Sequence, residues 1–85
     1  MRVITVYGSP ECHLCEDALA VLRTLRAEHP FELVEVDITT DDRLHARYLE
    51  RIPVVALDGE ELFDYFVDVD VLTTRLGDGP AGSLE

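Results

Sequence analysis

Eighty-five residues leave room for one domain, since domains run from about 50 to 250 residues. The balance of 47% hydrophobic to 29% charged residues is that of a globular chain. Eighteen acidic residues face seven basic ones, all of them Arg, for a formal net charge of −11, which argues against nucleic acid or an anionic membrane surface as the partner, both being negative themselves.

Met1–Tyr7 is rich in β-branched residues and runs into Gly8-Ser9-Pro10, a turn signal, so it reads as a buried strand. Its apolar part is too short for a secretory signal, and no apolar run in the chain approaches the roughly 20 residues of a membrane span. The expected setting is therefore the cytoplasm, and the expected form a monomer. From Cys12 to Ala27 the period becomes helical: Leu14, Ala18, Val21, Leu22 and Leu25 form one apolar stripe, opposite Glu16, Asp17, Arg23 and Arg26. His29-Pro30 closes that helix, because the residue before a proline is pushed out of the helical region. Phe31–Ile38 alternates and predicts a second strand.

Thr39 or Thr40 is the expected cap of a second helix, with Asp41 and Asp42 in its first turn and its end at Arg51. Ile52-Pro53 interrupts it and opens a third strand, Val54–Leu57. Asp58-Gly59 is a hairpin signal, and Glu61–Val67 returns as a fourth strand. Asp68 or Asp70 caps a last helix bearing Val71, Leu72 and Leu76. The stretch 77–83 has no core-forming residues, and 77–85 reads as a disordered tail after a 1–76 domain. The order βαβαββα implies an α/β fold: a four-stranded mixed sheet with three flanking helices on both faces. The first βαβ unit is right-handed and parallel, and the hairpin antiparallel. Tyr7, Phe31, Phe63, Tyr65 and Phe66 read as core and strand-face residues.

The chemistry lies in Cys12-His13-Leu14-Cys15, between the first strand and the first helix. Cysteines three apart on a first helical turn share a side, so their sulfurs reach bonding distance without moving the fold. At a helix N-terminus, unpaired N–H groups and the positive end of the dipole favour a thiolate, the attacking species in disulfide exchange. Cys12, nearer the tip, is the expected nucleophile. Cys15, a turn inside beside Leu14 and Leu19, is the expected buried resolving thiol. A protonated His13 favours the Cys12 thiolate, whereas Glu11, Glu16 and Asp17 oppose it. The thiol pKa is therefore expected to fall only modestly, and the couple to lie nearer the thioredoxin potential of about −270 mV than the DsbA potential of about −120 mV.

Tyr7-Gly8-Ser9-Pro10-Glu11-Cys12-His13-Leu14-Cys15, Ile52-Pro53-Val54-Val55 and Asp58-Gly59-Glu60-Glu61 together resemble a small glutaredoxin-like member of the thioredoxin superfamily, over residues 2–76. The resemblance implies a cis Ile52–Pro53 bond and an Ile52 backbone that faces Cys12 and pairs with an extended thiol substrate. It also implies dithiol exchange with a disulfide-containing protein or a glutathionylated thiol, no tightly bound cofactor, and glutathione or a reductase as electron donor. The chain departs from the family pattern in three places. Gly8-Ser9-Pro10-Glu11 lacks the basic residue usual before the motif, Phe63–Asp68 lacks the glycine pair usual before the last helix, and His-Leu replaces Pro-Tyr inside the motif. Two of these remove usual glutathione contacts.

Arg43, Arg47 and Arg51 fall at i, i+4 and i+8 and end beside Pro53. One reading is a clamp for an anionic substrate group, built chiefly by Arg47 and Arg51. The other is a solvated row that complements the helix dipole and pairs with acids on the surface. For the cysteines, the rival to redox exchange is a non-catalytic binding module or a metal or iron–sulfur cluster carrier. Only His13, His29 and His45 are available as further soft ligands, and they are not at zinc-finger spacing.

Overall fold

Two periodicities in the sequence build the layers. Alternation in the strands makes one sheet face apolar, and the 3.6-residue stripes of the first and last helices cover it. The computed structural model describes residues 1–78. In chain order its elements are β1 (Arg2–Gly8), α1 (His13–Arg26), β2 (Phe31–Asp37), a 3₁₀ turn (Ile38–Thr40), α2 (Asp42–Tyr48), β3 (Val54–Leu57), β4 (Glu60–Asp64) and α3 (Val69–Asp78). The strands lie in the order β2-β1-β3-β4. β1 pairs in parallel with β2 and antiparallel with β3, and β3 pairs antiparallel with β4 through an irregularity between Val55 and Ala56.

The main core joins Ile4, Val6, Val55 and Leu57 of the sheet to Leu22 and Leu25 of α1 and Leu72 of α3. α2 covers the opposite face near one end, where Tyr48 packs with Ile38 and Val54 against Tyr7, Leu44 and Ile52. Helices therefore lie on both faces, as the sequence predicts. Among the described residues, no helix is long and apolar enough to cross a membrane.

Several boundaries move, each for a local reason. α2 is capped by Asp41, whose carboxylate accepts from the backbone N–H groups of Arg43 and Leu44 at 2.8 and 3.3 Å. Thr39 and Thr40 instead belong to the 3₁₀ turn, which Asp37 caps through the Thr39 N–H. α2 stops at Tyr48, short of Arg51. β4 stops at Asp64 because Tyr65 adopts φ 72°, and this swings Tyr65 and Phe66 off the sheet. They are 48% and 71% exposed, not core residues. Phe31 is fully buried, and Tyr7 and Phe63 pack against the two clusters. Asp68 caps α3 by accepting from the Val71 N–H at 3.1 Å. With Leu72 and Leu76 anchored on the core, α3 continues through Gly77 and Asp78. The rest of the expected tail, 79–85, lies outside the described residues.

Candidate active site

Cys12 is the N-cap of α1, with extended backbone angles, and its sulfur accepts from the Cys15 N–H at 3.1 Å. α1 begins one residue later than the stripe predicts, because a cap residue stands outside the helical region while its side chain serves the first turn. The two cysteines are joined as a disulfide with Cα atoms 5.2 Å apart. Cys12 is half-buried, whereas Cys15 is 3% exposed. Cys12 is thus the more exposed member of the pair and Cys15 the buried one. His13 is the first residue of α1 and is exposed, as are Glu11, Glu16 and Asp17.

Gly8, the last residue of β1, presses on the disulfide. A Cβ there would stand 2.8 Å from the Cys15 sulfur and 3.2 Å from its Cβ. The sequence presents Gly8 as part of a turn signal. In the structure it belongs to the strand, and its role is steric clearance for Cys15. A glycine at a strand end just ahead of the motif is the one signal that pointed to it.

The Ile52–Pro53 bond is cis. Val54 pairs with Tyr7, so the antiparallel ladder, continued by one residue, sets buried Pro53 against Gly8 and on the same end of the sheet as the disulfide. Tyr65 fastens this segment. Its N–H donates to the carbonyls of Pro53 and Arg51 at 2.8 and 3.3 Å, and its hydroxyl donates to the Glu50 carbonyl at 2.6 Å. Nothing local in the sequence marks this role. Ile52 is half-buried and packs against the Ile38, Tyr48 and Val54 cluster.

The arginine row divides. Arg51, outside α2, donates twice to Asp64, at 3.1 Å each, and once to Glu61 at 2.7 Å. Those bonds hold its guanidinium firmly protonated. Arg47 reaches Glu61 at 3.5 Å. Both guanidiniums stand over the Tyr48 ring, at 5.4 and 5.5 Å from its centre. Tyr48 stacks on Tyr7 and donates its hydroxyl to Glu61 at 2.8 Å. The bonds from Arg51 and Tyr48 hold the Glu61 carboxyl below its usual range, and burial pushes the Tyr48 phenol up. The row is therefore not one helical stripe. Arg51 ties the segment after α2 to β4, and Arg43 stays exposed in the first turn of α2. Among the described residues, no group of three or more His, Cys, Asp or Glu side chains is arranged to hold a metal ion.

A mixed four-stranded sheet, three helices and a Cys-x-x-Cys pair at the tip of the first of them define a thioredoxin-like fold bearing a redox-type cysteine pair. The chain belongs to the glutaredoxin-like domain family DUF836, whose model matches residues 3–77. A protein of Nitrosomonas europaea solved in solution by NMR is 38% identical, with a TM-score of 0.77 over 87% of this chain and 89% of its own. A structural-genomics target of X. campestris is 32% identical, with a TM-score of 0.73 over 91% and 99%. A mutant thioredoxin from Halobacterium salinarum is 20% identical, with a TM-score of 0.68 over 99% and 78%, and shares the fold. Among curated proteins none matches.

Proposed function

We propose that the protein is a thiol–disulfide oxidoreductase working through Cys12 and Cys15. The observation that supports this most is the asymmetry of the pair: a half-buried cysteine capping a helix, bonded to a buried one. In the dithiol, the Cys15 N–H that meets the Cys12 sulfur and the helix dipole favour a Cys12 thiolate. That thiolate attacks a substrate disulfide or a glutathionylated thiol, giving a mixed disulfide and releasing one thiolate. Cys15 then attacks the Cys12 sulfur, closes the 12–15 disulfide and releases the second thiol. A donor, glutathione or a flavoprotein reductase, returns two electrons and reopens it.

Pro53 supports the chemistry in a simple way, since it has no N–H to offer the sulfurs. Ile52, beside it, is the backbone against which an extended substrate would lie, and His13 flanks the incoming group. In this reading Arg47 and Arg51 act through their ties to Glu61 and Asp64 and not as a clamp on substrate. With Glu11, Glu16 and Asp17 opposing the thiolate, the expected potential lies nearer about −270 mV than about −120 mV. A reducing cytoplasm suits such a dithiol.

Trapping tests the roles. Cys15→Ser is expected to accumulate a mixed disulfide with substrate, and Cys12→Ser to form none. Equal trapping by the two variants overturns the assignment.

A further inference from the structure

We infer that this site selects cationic disulfides, above all disulfides flanked by Lys or Arg in a polypeptide, over anionic ones such as oxidised glutathione. The inference rests on the oxidoreductase reading and adds its substrate class. The site is the disulfide itself, and what the surroundings set is the sign of charge that reaches it.

Around the accessible sulfur, Glu11, Glu16 and Asp17 are all exposed, and among the described residues none of them has an ion-pair partner. The arginines that would offset them are spent elsewhere: Arg2 on Asp58, Arg23 on Glu35, Arg47 and Arg51 on the α2–β4 tie, and Arg75 on Glu60. Arg26 closes α1, about 20 Å from its tip at 1.5 Å per residue, beyond a Debye length of about 8 Å at physiological salt. Arg43 follows Asp41 and Asp42 directly. The unpaired carboxylates nearest Cys12 in the chain are therefore not offset by arginine, and the net charge of −11 has the same sign.

A cavity of about 390 Å³ adjoins Cys15 and repeats the pattern. Pro10, Leu19 and Val36 give it apolar walls, and Glu16, Glu35 and Asp37 give it carboxylates; no base lines it. An aliphatic stem ending in a cation, the shape of a Lys or Arg side chain, fits such a slot. Of the three carboxylates only Glu35 is paired with an arginine, Arg23, at 3.2 Å. Asp37 accepts from Thr39.

The electron count is closed in a single turnover of pre-reduced protein. Cys12 and Cys15 lose two electrons and two protons, the peptide disulfide gains both, and the 12–15 bond replaces the bond cleaved in the peptide.

The test uses three synthetic disulfide peptides that differ only in Lys, Gln or Glu flanking the bond, all at one fixed pH. Each rate is divided by the rate of the same peptide with dithiothreitol, which removes differences in intrinsic reactivity. At low ionic strength the Lys peptide is expected to be reduced about tenfold or more faster than the Glu peptide, with the Gln peptide between them. The ratio is expected to shrink at 0.5 M salt, roughly a 4 Å Debye length, and to fall toward one in Glu11→Gln/Glu16→Gln/Asp17→Asn. Equal rates, or a faster Glu peptide, with the Gln peptide still reduced, overturn the charge selection and leave the oxidoreductase reading standing. No reduction of any peptide sinks both.

Discussion

Gly8→Ala tests how the strand and the disulfide share space. Gly8 lies outside the left-handed backbone region, where Gly59 alone among the described glycines sits. Alanine's backbone preference would therefore stabilise the fold by about 0.4–1 kcal/mol, mainly by restricting the unfolded chain. Against it stands a contact of 2.8 Å to the Cys15 sulfur, about 1 Å inside the ordinary separation of roughly 3.5–4.0 Å. Overpacking of this kind costs about 1–3 kcal/mol, so the contact wins. Its weight differs between redox states. In the disulfide the Cys15 sulfur is pinned to Cys12, whereas in the dithiol it can turn away. The oxidised form is thus expected to lose Tm by about 4–8 °C per kcal/mol, and the reduced form to lose less. If the difference is about 1–3 kcal/mol, the potential rises by about 20–65 mV, at about 30 mV per 1.4 kcal/mol. Thermal unfolding of both forms, with a titration of the couple against a reference thiol buffer, reads both quantities. Equal losses of Tm with an unchanged potential refute the steric account.

Gly59→Ala supplies the opposite case. Its Cβ would meet open space but φ is +91°, so a loss of about 1–2 kcal/mol is expected from the backbone alone, equal in the two redox states and read by urea midpoints. Tyr48→Phe keeps the stack on Tyr7 and removes the 2.8 Å bond to Glu61; about 1 kcal/mol of lost stability is expected in chemical denaturation. The carboxyls of Glu61 and Asp58 are held below their ordinary values of 4.5 and 3.8, Glu61 by Arg51 and Tyr48, Asp58 by the Val3 N–H and Arg2. A depressed folded pKa contributes stability above the unfolded value and loses it as pH falls through the folded one. The contribution is therefore expected to hold near neutrality and fade below about pH 4.5. Glu61→Gln should flatten part of that acid limb in a urea series. A wild-type limb no steeper than the variant's would contradict the tie.

What was legible in the sequence is what local pattern decides. β1, α1 with its cysteine pair, the break at Ile52-Pro53 and the Asp58-Gly59 hairpin lie within about a residue of where periodicity and turn chemistry put them. The two turn residues even take the positive φ values, 51° and 91°, that such a hairpin needs. The misses come from distant partners. Arg51 carries helical spacing from Arg43 and Arg47, yet it is drawn to acids ten and thirteen positions ahead, and α2 ends without it. Tyr65 continues the apolar alternation of β4 but is claimed by carbonyls of the 50–53 run. Threonines looked like helix caps, but the neighbouring carboxylates of Asp37 and Asp41 are the groups positioned to accept. Gly8 gave no periodic signal because its reason is a sulfur seven positions later, folded back against it.

Tyr65 has one more consequence. By taking the carbonyls of Glu50, Arg51 and Pro53, it leaves that of Ile52 as the one oxygen of the run it does not claim. The cis-proline segment is thus riveted by a residue just beyond the last strand. A fragment cut after the second strand would keep both sulfurs and lose this segment together with the residue that fastens it. Attempts to miniaturise the domain to its first βαβ unit should lose turnover while keeping a disulfide that still opens and closes.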